Sequence, residues 1–168
     1  LSVLAMAQGK KSFTLDDLLP GGSTYHQLQP QNLYTAWWGN RLVETDLDGC
    51  NEINPKNGSK KVLFTLQQLN QWLGAGEDSS VVRSCYNVEF PDGGQPWVAT
   101  VVSGKGKNGG KPTSIYTVVD FKSGKKVWEQ EYPADATALD RSPSSNSLAF
   151  VRQHNLYVTT KEGQTMAV

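Results

Sequence analysis

The stretch from Ser142 to Thr159 constrains this chain more than any other, because its order of residue types leaves room for little except a tight β-hairpin. Pro143 fixes its own φ, and Ser144, Ser145 and Asn146 supply turn chemistry. Leu148 to Val151 and Leu156 to Thr159 then carry the β-branched and aromatic types that suit a pleated, half-buried surface. Between them, Arg152-Gln153-His154-Asn155 fits a hairpin tip.

The same order recurs upstream. Pro30 to Thr45 reads as a Pro turn, an apolar run, a Gly39-Asn40 tip and a return strand. A looser copy has a turn at Phe90-Pro91-Asp92-Gly93-Gly94, a strand over Trp97 to Val102, a long tip from Lys105 to Thr113 and a return over Ile115 to Val119. The strand starts Leu33, Trp97 and Leu148 lie about 50 to 65 residues apart, near the upper end of propeller-blade periods. The expected architecture is therefore all-β: a partial β-propeller of about three four-stranded blades, with short helical turns between them.

Those helical turns have their own signature. Ser12 to Gly22 reads as a strand fragment running into a short helix, with Thr14 and Asp17 in capping-box relation and Pro20-Gly21-Gly22 as the stop. The phrase returns as Phe64-Thr65-Leu66-Gln67-Gln68-Leu69, with Gly74-Ala75-Gly76 ending the second helix. One blade is expected to use Leu33 to Trp38, Arg41 to Asp46 and Lys61 to Phe64. The next would use Cys85 to Phe90, Trp97 to Val102, Ile115 to Val119 and Lys126 to Gln130, and a strand over Ala136 to Asp140 would lead into the last.

Composition narrows the function classes. The 168 residues are 38 % hydrophobic and 19 % charged, ordinary for a globular chain, and 16 basic residues balance 16 acidic ones. Nothing global attracts nucleic acid or an anionic membrane, so neither is an expected partner. Ala5-Met6-Ala7 ahead of Gln8 matches a small-residue cleavage pattern, so residues 1–7 read as a signal-peptide tail, or else as a short apolar strand, and 8–11 as a flexible leader. No other segment approaches the ~20 apolar residues of a membrane span. The expected location is the periplasm or cell envelope. Cys50 and Cys85 match no zinc spacing and read as two unpaired thiols, although export would permit a disulfide.

Phe13-Thr14-Leu15-Asp16-Asp17-Leu18, the hairpin from Ala36-Trp37-Trp38-Gly39 to Asp46, and Ser142-Pro143 through Asn155-Leu156-Tyr157-Val158 together resemble the start of the mature chain of secreted bacterial dipeptidyl peptidase IV. That family lies in the prolyl oligopeptidase clan of serine peptidases, and the resemblance runs from about Lys11 to Val168. It implies an N-terminal β-propeller, here residues 12–168 as its first blades, covering a C-terminal α/β-hydrolase domain that would be the partner of this chain. It also implies removal of dipeptides from N-termini with Pro or Ala in second position. Peptides are then the expected substrates. A piece of a propeller is expected to self-associate, by stacking terminal blades or by exchanging the segment around Lys11 to Leu19.

No catalytic residue can be assigned by that resemblance. The chain has no Gly-x-Ser-x-Gly elbow and no adjacent Glu pair of the kind the family uses to hold a substrate amino group. Glu129 and Glu131 alternate on a strand and read as solvent-facing. In the resembled family the tip before Ile115 faces the internal cavity and often presents an Arg to the substrate. Here it offers Lys105, Lys107 and Lys111 among glycines, which reads as a substrate-facing loop or as a solvated one. Gly104 to Gly109 spells G-x-G-x-x-G, but a strand rather than a helix follows, so no dinucleotide cofactor is expected. Asp46-Leu47-Asp48-Gly49 lacks the rest of a calcium loop, and no metal is expected. Asn57-Gly58-Ser59 reads as a turn, and His26 and His154 as surface loop residues. Arg141 stands where such repeats usually place an aromatic before Ser-Pro. Two rival readings are a free-standing cell-envelope propeller module and a β-sandwich adhesion domain with two facing sheets.

Overall fold

A computed structural model describes residues 12–25, 33–76, 81–105, 111–143, 146–160 and 165–168, with side chains described to Ser103 in the third of these spans. The chain divides into two compact units, Leu1–Asn32 and Leu33–Val168. The residues of the signal-tail and leader readings, His26, Lys107 and most of the G-x-G-x-x-G segment lie outside the described residues.

In the first unit a single turn of helix, α1 (Leu15–Leu18), is capped by Thr14. The Asp17 carboxylate accepts from both the Thr14 backbone N–H (2.8 Å) and its hydroxyl (2.9 Å), as the Thr-x-x-Asp spacing anticipates. Gly22 then takes a backbone course so close to Asp16 that a Cβ there would clash with the Asp16 carbonyl oxygen.

The second unit is built of strands that pair with their neighbours in sequence. The first sheet runs in the order β1 (Thr35–Trp38), β2 (Arg41–Thr45), β3 (Gly49–Ile53), β4 (Lys60–Thr65). A second sheet holds β5 (Trp97–Lys105), β6 (Pro112–Asp120) and β7 (Lys125–Pro133), and Glu89 adds an isolated bridge to Ala99 on the free side of β5. The third runs β8 (Thr137–Arg141), β9 (Leu148–Arg152), β10 (Asn155–Thr159), β11 (Thr165–Ala167). All the pairings are antiparallel, and each sheet is a meander. This is the all-β, partial-propeller architecture expected from the repeat, and it excludes the two-sheet sandwich.

Three details differ from the sequence reading. Gly49–Ile53 is a full strand in a place where polar Asn51 and Glu52 hide the alternation. Cys85 to Phe90 forms no strand beyond the Glu89 bridge, because its backbone turns at Val88, whose N–H bonds Cys85 O at 3.4 Å. The tip between β5 and β6 is shorter than Lys105 to Thr113, since Gly104 pairs with Thr113 and Lys105 with Pro112. Pro112 is tolerated as the first residue of its strand, where no ladder N–H is needed.

The turns are held by short polar side chains. Asp46 Oδ1 accepts from Asp48 N (2.8 Å) and Gly49 N (2.7 Å), and Asp120 Oδ1 from Lys122 N (2.9 Å) and Ser123 N (2.8 Å). These carboxylates close the hairpin turns. Asn57 Oδ1 likewise accepts from Ser59 N at 3.0 Å, so the sequon is a turn. The Gln153-His154 tip of the β9–β10 hairpin has φ of 50° and 66°, the pair of left-handed residues a two-residue type I′ turn demands.

The cross-strand register puts Ala36, Trp38, Val43, Thr45, Cys50 and Phe64 on one face of the first sheet. That face packs into a core with Leu69, Cys85, Val88, Val98, Val119 and Phe121. The first and second sheets are thereby joined. A second core of Ala99, Tyr116, Val118, Tyr132, Leu148 and Phe150 joins the second and third. Helix α2 (Leu66–Trp72) follows β4 with a Thr65–Gln68 capping box, and Gly74 leaves it at φ 88°. Buried Asn70 ties this helix to the next segment: its Oδ1 accepts from Val81 N (2.6 Å) and Val82 N (2.9 Å), and its Nδ2 donates to Val82 O (3.0 Å).

Candidate functional site

The second and third sheets meet around a cleft of about 190 Å³ lined by Glu89, Pro91, Tyr116, Leu139, Asp140 and Arg141. Its geometry follows from register. Glu89 exchanges both backbone hydrogen bonds with Ala99 (3.0 and 2.8 Å), which fixes it along β5. Tyr116 lies in the middle of β6 opposite Val101, and its hydroxyl donates to Glu89 Oε2 at 3.1 Å. Arg141 is the last residue of β8, directly before the Ser142-Pro143 turn.

Arg141 takes the place of the expected aromatic by behaving partly like one. Its guanidinium carbon lies 5.9 Å from the centroid of the Trp128 ring, and Trp128 in turn lies 5.8 Å from Tyr116. One Nη donates weakly to the Pro91 carbonyl at 3.5 Å. Its Nε is buried and has no hydrogen-bond partner among the described residues. The neighbouring Asp140 carboxylate accepts from the Arg141 backbone N–H at 2.8 Å.

Burial pushes the Tyr116 hydroxyl well above the ordinary phenol range, and the negative charge of Glu89 and the hydrogen bond to it push the same way, against a smaller opposing pull from Arg141. The phenol is therefore a neutral donor at any ordinary pH. Together the cleft offers two carboxylates, Glu89 and Asp140, and one guanidinium edge, complementary to the amine and carbonyl groups of a peptide backbone. No Ser, Thr, Cys or His among the described residues lines it. Among the described residues no group of three His, Cys, Asp or Glu side chains is placed to hold a metal ion, and no helix is long and apolar enough to cross a membrane.

Of the sequence-predicted lysines, Lys111 alone has a described side chain, and it does not line this cleft. Lys111 is exposed and lines a separate cleft of about 340 Å³ with Pro112, Ala134 and Asp135. Asp135 already pairs with Arg152, whose Nε lies 2.9 Å from Oδ1. Lys105 is the last residue of β5, and Lys107 lies outside the described residues. His154 sits exposed at its turn. Sequence reasoning singled out neither Glu89 nor Tyr116; the Arg before Ser-Pro was the one signal pointing here.

The comparisons bear on this arrangement. No family model matches the sequence. Among solved structures, the chain matches the crystal structure of a protein from Bacteroides ovatus ATCC 8483, assigned as a dipeptidyl aminopeptidase IV, with a TM-score of 0.65 and 28 % identity. The chain is similar to a dipeptidyl aminopeptidase IV. The match covers 90 % of this chain and 20 % of that one, so the 168 residues span about a fifth of that structure's length.

Proposed function

We propose that this chain serves as the first, non-catalytic part of a β-propeller that gates and positions peptides for an exported serine exopeptidase releasing Xaa-Pro and Xaa-Ala dipeptides. The observation that carries this reading is the likeness to the Bacteroides ovatus structure over nine-tenths of the chain. The sequence holds no Gly-x-Ser-x-Gly elbow, and in this reading the chemistry belongs to an α/β-hydrolase domain that is the partner of these blades. In this role the cleft between Glu89 and Arg141 contributes charge for holding a peptide, and Lys111 contributes a second cationic point at the β5–β6 end.

The test compares the 168-residue chain with the full product of its gene on Gly-Pro and Ala-Pro chromogenic substrates. The chain alone is expected to release no chromophore. The full product is expected to cleave both, and Arg141→Ala within it to raise KM while leaving kcat nearly unchanged. Turnover that follows the isolated chain through repurification would overturn the reading. So would a gene product lacking the elbow and its following Asp and His, which would favour the cell-envelope binding module.

A further inference from the structure

Two cysteines far apart in sequence end up beside each other in the first core. Cys50 lies in β3, opposite Thr45 of β2 and Phe64 of β4, on the face that turns inward. Cys85 is in the segment leading to the second sheet, and its backbone N–H donates to the carbonyl of Asp46, the residue after Thr45, at 3.0 Å. That bond holds Cys85 beside the end of β2, whose Thr45 faces Cys50 across the sheet. Both side chains are fully buried in the same core cluster, as separate thiols. Each thiol is the largest influence on the other's proton affinity, raising it at Cys50 and lowering it at Cys85.

We propose that Cys50 and Cys85 are a disulfide site that links the first sheet to the entry of the second. The step balances with a low-molecular-weight disulfide, such as oxidised glutathione, as the oxidant. The thiolate of one cysteine attacks it and expels one small thiolate. The second cysteine, as thiolate, attacks the resulting mixed disulfide, forms the Cys50 Sγ–Cys85 Sγ bond and expels the other. The two cysteine protons end on the two released thiols, so the protein sulfurs are oxidised and the small disulfide is reduced to two thiols.

Burial also sets when the reaction happens. Inside the closed core both side chains lack solvent access, so a small disulfide cannot reach them there. The bond therefore forms while the segment 51–84 is still folding onto β3, and resists reduction afterwards. An oxidising compartment supplies the conditions in the cell, which is the one point where this inference rests on export. The experiment does not depend on it.

The protein is unfolded in reductant, refolded with oxidised and reduced glutathione, then unfolded again in the presence of N-ethylmaleimide and weighed. The expected mass is about 2 Da below the dithiol chain with no maleimide adduct, and two adducts appear only after reduction. Reduction under native conditions is expected to be slow, and the fully reduced protein to melt roughly 5 to 10 °C lower than the oxidised one. The double variant Cys50→Ala, Cys85→Ala should lose that dependence on reductant. Two maleimide adducts without reduction, or glutathione bound to either cysteine as the end product, would overturn the proposal. An equal response of wild type and double variant to reductant would do the same. Peptidase measurements play no part in these outcomes, so a failure here leaves the proposed function standing.

Discussion

Gly39 and Gly93 touch through their backbones: a Cβ on Gly39 would stand 2.6 Å from the Gly93 carbonyl oxygen, and a Cβ on Gly93 2.7 Å from the Gly39 Cα. The contact presses the β1–β2 turn onto the loop that enters the second sheet. Nearby, Trp38 Nε1 donates to Gln95 O at 2.8 Å, and the Arg41 guanidinium covers the Trp38 ring at 4.3 Å. Gly39 also has φ of 59°, so it meets two constraints at once. Gly39→Ala should cost roughly 2 to 4 kcal/mol, combining backbone strain with a steric clash. Gly58 is a control, with φ of 69° and open space around it, and Gly58→Ala should cost only about 1 kcal/mol. Urea denaturation of both variants measures the difference; equal costs would mean that the two loops separate easily.

The β9–β10 hairpin makes a second prediction. Leu148 and Phe150 are 0 % and 1 % exposed, with Phe150 stacked 5.6 Å from Tyr157 and tilted against Tyr132 at 6.0 Å. Leu148→Ala or Phe150→Ala should each destabilise by about 2 to 5 kcal/mol. Asn155 and His154 are exposed, and replacing Asn155 with Ala or His154 with Gly should change the melting temperature little. Similar shifts for the two pairs would show that the hairpin is not anchored in the core between the second and third sheets.

Sequence reached the elements whose signals are local. Thr14 with Asp17 and Thr65 with Gln68 are capping boxes in both readings, since three-residue spacing and side-chain chemistry decide them without help from tertiary structure. The strand at Gly49–Ile53 was hidden because its place comes from its neighbours: Gly49 is required by the approach of Phe64 O, 2.5 Å from where a Cβ would be, not by any turn propensity. The cleft was hidden for the same reason. Glu89, Tyr116 and Arg141 are brought together only when the second and third sheets are laid side by side, and Lys111 lines a different cleft.

Tyr116 gives a pH dependence with a definite sign. Its folded-state pKa is raised above the ordinary value near ~10, by burial first and by Glu89 next, and that of Tyr132 is raised by burial. A group held protonated in the fold keeps its contribution below the unfolded pKa and loses it as pH rises through that value toward the folded one. Above about pH 10 the unfolded chain ionises its phenols while the folded chain resists, so stability should fall with rising pH. Tyr116→Phe removes one such group and should flatten that fall, at the expense of the Glu89 hydrogen bond at neutral pH. Urea midpoints from about pH 8 to 11 test it. An unchanged slope in the variant would place the Tyr116 hydroxyl in water.

The last prediction concerns assembly. Trp37, Leu42 and Ile53 stand directly opposite one another across β1, β2 and β3, on the face of the first sheet turned away from the Phe64 core. Trp37 is 65 % exposed, and Leu42 and Ile53 line an open cleft of about 450 Å³. In a closed propeller such a face is covered by the last blade, and here the row is a patch that a second copy can bury. We expect the isolated chain to self-associate. A two-fold contact would stop at dimers, whereas a head-to-tail contact would grow with concentration. Light scattering over a concentration series distinguishes these, and Trp37→Ser should shift either toward monomer by removing the most exposed member of the row. A wild-type chain that stays monomeric at high concentration would show that this face needs no neighbouring blade, and the partial-propeller account of the exposed row would fall with it.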